Sequence, residues 1–320
     1  LALAAKKSKI ANKTWVFCGD GDLEEGISHE ACSWAGAMKL DDLVLVYDSN
    51  RITIEGSTSL ALADDVKKRF ASYGWKVLEA DGHDYDAIRS AYRRAAKVKS
   101  QPVIVVANTV IGRGAPTKQD TADCHGAPLG AGETAALKRA LGFDPERSFV
   151  VPDEVYKIFK SRTDSLHRFA LKWKKNGWKR PIGDMADRAA LVAALPKFDP
   201  AKPVATRAAC GVVMNALAPL VPGLVGGSAD LGPSNKTVLN GLGDVGPGAF
   251  DGRNVHFGVR ELGMSAIVNG FTAFDPALRG YAATFFVFSD YCRPAIRLAA
   301  LMEVPSIYVF SHDSYCVGED

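Results

Sequence analysis

The sequence predicts an α/β protein built on two parallel sheets. Two observations carry that prediction. Short apolar runs alternate with segments of helical periodicity, first over 14–108 and again over 205–311, and such alternation builds parallel sheets through right-handed crossovers. Proline-bearing sequence from Pro181 to Pro203 separates the two series and has the composition of a domain linker. A length of 320 residues fits two domains.

In the first series, strands are expected at 14–18, 43–48, 75–80 and 102–108, and helices at 22–39, 64–73 and 84–98. The continuous apolar runs Thr14-Trp15-Val16-Phe17-Cys18 and Leu43-Val44-Leu45-Val46-Tyr47 read as buried strands. Asp84 ahead of Tyr85-Asp86-Ala87-Ile88 supplies an N-cap and an acidic first turn. Residues 153–180 read as a helix rich in Lys and Arg, with Trp173 and Trp178. A basic amphipathic helix can meet a membrane or a nucleic acid, and a solvated linker helix is the plainer alternative. In the second series, helices are expected at 205–218, 261–272 and 288–301, with strands at 223–227, 253–257, 279–284 and 305–311. The expected division is 1–150, a helical linker 151–203, and 204–320.

Composition narrows the function. A net charge of +3 gives no argument for nucleic acid, and no apolar run reaches the length of a membrane span. Six cysteines lie scattered without CxxC pairs and are expected as reduced thiols in the cytoplasm. The run Leu1-Ala2-Leu3-Ala4-Ala5-Lys6-Lys7 is too short in its apolar part for a signal peptide, and its charge follows rather than leads. It reads as the end of a helix. Both ends of the chain look like those of a fragment or of a short variant.

The segment that points to chemistry is Gly19-Asp20-Gly21, with Asp48-Ser49-Asn50 at the end of the next expected strand. An acid and an amide then stand at the tips of two successive parallel strands, where open α/β sheets bind ligands. A carboxylate, an amide oxygen and phosphate oxygens suit Mg²⁺ or Ca²⁺. Taken alone, a Gly-Asp-Gly string is more often a turn. It is neither a P-loop nor the dinucleotide fingerprint, because no Gly-Lys-Ser/Thr follows and the third glycine is misplaced.

These residues resemble the signature of the thiamine-diphosphate enzymes. More narrowly, the chain is similar to the transketolase family. Asp22-Leu23-Glu24-Glu25-Gly26-Ile27-Ser28-His29-Glu30-Ala31, Ile52-Thr53-Ile54-Glu55-Gly56, Asp81-Gly82-His83-Asp84 and His125-Gly126-Ala127-Pro128-Leu129-Gly130 carry the likeness in the first half. Gly226-Gly227-Ser228-Ala229-Asp230-Leu231, His256-Phe257-Gly258-Val259-Arg260-Glu261, His312-Asp313-Ser314 and Gly318-Glu319-Asp320 carry it in the second. The resemblance implies two parallel-sheet domains of the thiamine-diphosphate-binding type, one for the diphosphate and metal, one for the pyrimidine ring.

It also implies roles. Asp20, the Asn50 side chain and the Ile52 carbonyl would hold Mg²⁺ or Ca²⁺, and Gly19 and Gly21 would lie against the diphosphate. Glu261 would hydrogen-bond the aminopyrimidine and so activate the cofactor as a carbanion; the plain alternative is an acid favoured in a helix's first turn. Phe285, Phe288 and Tyr291 would wall the pyrimidine, although aromatics at this spacing are often simply core. His125 and His312 would polarise substrate and move protons. Arg207 and Ser228 would bind an acceptor's phosphate and Asp320 a sugar hydroxyl. His29, His83 and His256 are read as structural or as lining the site, and His167 as exposed.

The implied activity is transfer of a two-carbon glycolyl unit from a ketose or hydroxypyruvate to an aldehyde, within the pentose phosphate pathway. The implied assembly is a homodimer with sites at the interface. A synthase of the deoxyxylulose-phosphate type is a related alternative. Family members carry more sequence before the first strand and a third domain after the second. An inactive core, or one half of a split assembly, therefore stands beside the enzyme reading.

Overall fold

In a computed structural model of the chain, residues 1–175 and 182–314 are described. The chain divides into two compact units. The first holds Leu1–Asp48, Asp64–Ala107 and the described residues from 182 on; the second holds Ser49–Ala63 and residues 108–175.

Two sheets organise the fold. Strands β1 (Thr14–Cys18), β2 (Leu43–Ser49), β5 (Lys76–Asp81) and β6 (Val103–Asn108) form a four-stranded sheet in the order β1-β2-β6-β5. Strands β7 (Leu224–Ser228), β8 (Asp244–Val245), β9 (Asn254–Val255), β10 (Arg279–Phe285) and β11 (Ile307–Ser311) form a five-stranded sheet in the order β11-β10-β7-β9-β8. A two-stranded antiparallel ribbon, β3 (Ile52–Thr53) with β4 (Gly56–Ser57), belongs to the second unit. The pairs β1–β2, β7–β10 and β10–β11 are parallel, as the alternation requires. Val103, Ile104 and Val105 are fully buried because β6 has neighbours on both sides.

Strand β1 corrects an expectation. It is an edge strand, not a buried one: Val16 is 40% and Phe17 70% exposed. An apolar run predicts a strand, but its place in the sheet order decides whether its faces are covered.

The expected helix 22–39 is two helices, Asp20–Glu24 and Gly26–Ala37, hinged where Glu25 adopts an extended backbone. The Gly19 N–H donates to Asp22 Oδ2 at 2.8 Å and caps the first of them, so Asp20 already lies inside a helix. The expected strand 253–257 shortens to Asn254–Val255. The Asn254 side chain instead ties the loop before it, accepting from the Leu239 N–H at 2.8 Å and donating to its carbonyl at 3.0 Å.

Further helices form at Ala2–Lys7, Ala131–Ala140 and, within the stretch read as linker, Arg188–Ala193. Asp187 caps the last by accepting from the Ala190 N–H. The basic helix is described over Asp153–Lys175 and has no buried residue; Trp178 and Pro181 lie outside the described residues. No described helix is long and apolar enough to cross a membrane. The described cysteines are free thiols, and burial pushes Cys18 up to about 12 and Cys32 up to about 11.

Within the first unit, helix Gly26–Ala37 packs on helix Glu261–Phe274. One apolar core runs through Leu23, Trp34, Phe70, Phe257, Met264 and Phe271. Burial of such side chains contributes roughly 1.5–3 kcal/mol each, and Met264 and Phe271 belong to the helix that Glu261 opens.

Candidate active site

Strand β1 delivers Gly19 and Asp20 to the tip of its sheet. Asp20 is 4% exposed, and the register that sets Cys18 beside Tyr47 lets the Tyr47 hydroxyl donate to Asp20 Oδ1. A buried carboxylate needs such donors. Beside it Gly21 leaves open space: a Cβ there would meet no atom within 4 Å.

In the second unit, Asn50 Oδ1 accepts from the Ile52 N–H at 3.0 Å, across Arg51 in the left-handed region (φ 62). The amide oxygen keeps a second lone pair. Asn50 and Ile52 line a cavity of about 400 Å³ together with Ser49, Asn108 and Asp120. His125 follows the short turn Ala122–Cys124, half-buried, and its Nδ1 is buried without a hydrogen-bond partner. No cluster of three or more His, Cys, Asp or Glu side chains forms a metal site among the described residues. The expected donor set is of another kind: one carboxylate, one amide oxygen and one main-chain carbonyl.

Glu261 opens helix Glu261–Phe274 and is 9% exposed. Burial pushes its carboxyl above the ordinary range, and the nearby charge of Glu30 pushes the same way, against a bond from its own backbone N–H. Glu30 Oε2 accepts from the Gly263 N–H at 2.7 Å. Arg260 donates to the Phe257 carbonyl at 2.9 Å and reaches Ser33 Oγ at 3.3 Å. Trp34 Nε1 donates to the His256 carbonyl at 2.9 Å, and its ring stacks on Phe257. Residues 30, 33 and 34 share one helical face, so a single face of helix Gly26–Ala37 holds the approach to Glu261.

Phe285 ends β10, Phe288 ends a 3₁₀ turn, and Tyr291 lies in helix Ser289–Leu301. The Phe285 and Phe288 rings are 6.1 Å apart and nearly parallel, and Tyr291 follows at 6.3 Å from Phe288. Exposure rises from 8% at Phe285 to 64% at Tyr291. The stripe thus leaves the core and offers ring faces to the surface. The His312 ring centroid lies 3.9 Å from that of Phe285, and Arg207 Nη1 is 3.2 Å from His312 Nε2.

The structure therefore gathers Phe285, Phe288, Tyr291, His312 and Arg207. Ser228 is buried, and its Oγ already accepts from the Leu231 N–H at 3.0 Å; it borders a separate cavity of about 190 Å³ with Asp230, Thr237 and His256. Asp320 lies outside the described residues. His29 Nδ1 meets the Tyr73 hydroxyl at 2.7 Å, His256 Nε2 lies 3.2 Å from Asp244 Oδ1, and His167 is exposed. Sequence reasoning did not single out Tyr47, Asn235 or Ser311, nor give Glu30 a role. Each matters through a partner at least 27 positions away or through a side chain touching such a partner, and no local pattern marks that.

The two parallel-sheet regions are of the thiamine-diphosphate-binding type, as the family models that match them show. Residues 4–194 match the family model "Transketolase, thiamine diphosphate binding domain", and residues 202–320 match "Transketolase, pyrimidine binding domain". The chain belongs to the transketolase family. A transketolase from Geobacillus stearothermophilus is 44% identical over 97% of this chain and 48% of its own length. One from Bacillus subtilis is 41% identical over 97% and 49%. Among solved structures, transketolase from Campylobacter jejuni superposes with a TM-score of 0.90 at 42% identity, covering all of this chain and 51% of the other. The Pichia stipitis enzyme in complex with sedoheptulose-7-phosphate superposes with a TM-score of 0.91 at 37% identity, covering all of this chain and 52% of the other. The chain spans about half the length of the relatives it matches.

Proposed function

We propose that this chain is the cofactor-holding core of a transketolase, passing a two-carbon glycolyl unit from a ketose or hydroxypyruvate to an aldehyde. The observation that carries this reading is Glu261: a buried carboxyl held above its ordinary pKa at a helix start, braced by Glu30. The residues also fit thiamine diphosphate with Mg²⁺ or Ca²⁺. Asp20, Asn50 and Ile52 offer hard oxygen donors, the choice such cations make, and the open space at Gly21 leaves room for a diphosphate. When bound, the cofactor supplies a carbon nucleophile on its thiazolium ring.

The chain's own groups do the rest. Glu261, whose carboxyl burial raises above the ordinary range, would hydrogen-bond the cofactor's pyrimidine nitrogen. Phe285, Phe288 and Tyr291 present ring faces on which a flat heterocycle stacks. His125, with an unpartnered Nδ1, and His312 exchange protons with substrate oxygens, and Arg207 holds an anionic group. Phosphorylated ketoses are the proposed donors, in keeping with the complex of the Pichia stipitis relative. The proposed division is a diphosphate half to 150, a linker to 203 and a pyrimidine half beyond. The proposed setting is a cytoplasmic homodimer.

The exposed edge at Phe17 favours a second reading, in which the core works only with a further polypeptide. The test is calorimetry with thiamine diphosphate and Mg²⁺, followed by hydroxypyruvate consumption for wild type and Glu261→Gln. The variant is expected to bind and to lose most turnover, roughly a hundredfold or more. Equal rates would remove Glu261 from the mechanism. Wild type that binds but turns over only when a second polypeptide is added would establish the second reading.

A further inference from the structure

We propose that Asn235 and Ser311 are positioning residues that fix His312 in its Nδ1–H tautomer, so that the neutral ring presents a lone pair, not a proton, at Nε2. Three contacts carry this. Ser311 Oγ lies 2.6 Å from Asn235 Oδ1, His312 Nδ1 lies 2.9 Å from Ser311 Oγ, and Arg207 Nη1 lies 3.2 Å from His312 Nε2. An amide oxygen only accepts, so the Ser311 hydroxyl donates to it. The Ser311 oxygen is then left to accept, and Nδ1 carries the hydrogen. Nε2 is left with its lone pair, and the guanidinium, which only donates, sits against it. The chain of donors has one consistent direction.

The opposite direction fails at its far end. With the Asn235 amide turned over, its NH₂ would donate to Ser311, the hydroxyl would donate to Nδ1, and Nε2–H would face the Arg207 donors. Two donors would then oppose each other. Asn235 is 0% and Ser311 5% exposed, so water does not compete at the first link; the Asn235 Nδ2 group is buried there without a hydrogen-bond partner, and it is the Arg207 guanidinium at the far end that sets the direction. The β10–β11 register sets Ser311 beside Phe285, and the left-handed backbone of His312 (φ 54) accompanies a ring laid over Phe285.

The consequence for recognition rests on the proposed function. A lone pair at Nε2 takes a substrate hydroxyl, while Arg207 takes an anionic oxygen. The pair therefore suits a substrate carrying both groups within reach, a hydroxylated phosphate or carboxylate, over an anion that lacks the hydroxyl.

The proton placement itself is tested without cofactor or turnover. Long-range ¹H–¹⁵N spectra of the ¹⁵N-histidine-labelled chain report the tautomer, with His312 assigned by the resonance lost in His312→Gln. In the neutral range the wild type is expected to show the Nδ1–H pattern. Ser311→Ala should lose it, and Asn235→Leu, which takes away the accepting oxygen, should weaken it. An Nε2–H pattern in wild type, or an Nδ1–H pattern untouched in Ser311→Ala, would overturn the proposal. Should either variant not fold, the wild-type spectrum decides alone. A correct tautomer in a chain that never consumes hydroxypyruvate would count against the proposed function and leave the proton placement standing.

Discussion

Glu30 Oε2 accepts the Gly263 N–H at 2.7 Å, two residues into the helix that begins at Glu261. That helix has no side-chain cap of its own at Arg260. A carboxylate from helix Gly26–Ala37 therefore satisfies one of its open N–H groups and faces its dipole. The same charge raises the Glu261 carboxyl. Glu30→Ala should cost about 1 kcal/mol, as a lost cap does, and should move the loss of activity that follows Glu261 ionisation to lower pH. Glu30→Gln keeps an accepting oxygen and loses the charge; it should keep the stability and still shift the profile. Urea midpoints and pH–rate profiles check this, and a Glu30→Ala chain equal to wild type in both would refute the bracing role.

Glu261 itself should lower stability at neutral pH. Its folded carboxyl titrates above the ordinary 4.5, so the folded chain holds that proton more tightly than the unfolded one. The stabilisation is complete below about 4.5 and is lost as pH rises through the raised folded value. Glu261→Gln should thus melt a few degrees higher at neutral pH and level with wild type in acid. A variant melting lower at neutral pH would contradict the stated burial.

Two glycines should behave in opposite ways. A Cβ on Gly227 would lie 1.9 Å from the Val255 carbonyl oxygen, across the β7–β9 pair, whereas one on Gly21 would meet nothing within 4 Å. Gly227→Ala should cost more than about 3 kcal/mol or prevent folding. Gly21→Ala should stay within about 0.5 kcal/mol of wild type while weakening thiamine diphosphate in calorimetry. Unchanged affinity in Gly21→Ala would remove that glycine from the diphosphate cradle.

Tyr47→Phe removes a hydroxyl that donates to a carboxylate only 4% exposed. A loss of about 1–3 kcal/mol is expected from leaving that group short of a donor. If Asp20 holds the cation, affinity for Mg²⁺ with thiamine diphosphate should drop about tenfold as well, the usual effect of losing a ligand's supporting hydrogen bond. Stability lost with affinity intact would separate Asp20 from the metal.

Much of the fold was legible along the chain. Strands β2, β5, β6, β7, β10 and β11 fall within two residues of the expected bounds, because apolar runs between Gly, Asp and Pro turns express local preference. The break at Glu25 was not legible, since a helical pattern continues through it and the hinge lies in one residue's backbone. Nor was the exposure of Phe17, which depends on which strand ends the sheet.

The site divides in the same way. The residue types and their places at strand tips and helix starts were written in one dimension: Asp20, Asn50, Glu261 and the stripe Phe285, Phe288, Tyr291. Turn chemistry at strand ends marked Asp20 and Asn50, whereas Glu261 and the aromatic stripe were marked by the resemblance to the transketolase family. Tertiary structure decided what surrounds them: Glu30 at Gly263, Tyr47 at Asp20, and Asn235 with Ser311 behind His312. Protonation and orientation are set by neighbours within a few ångströms, and folding chooses those neighbours from distant parts of the chain.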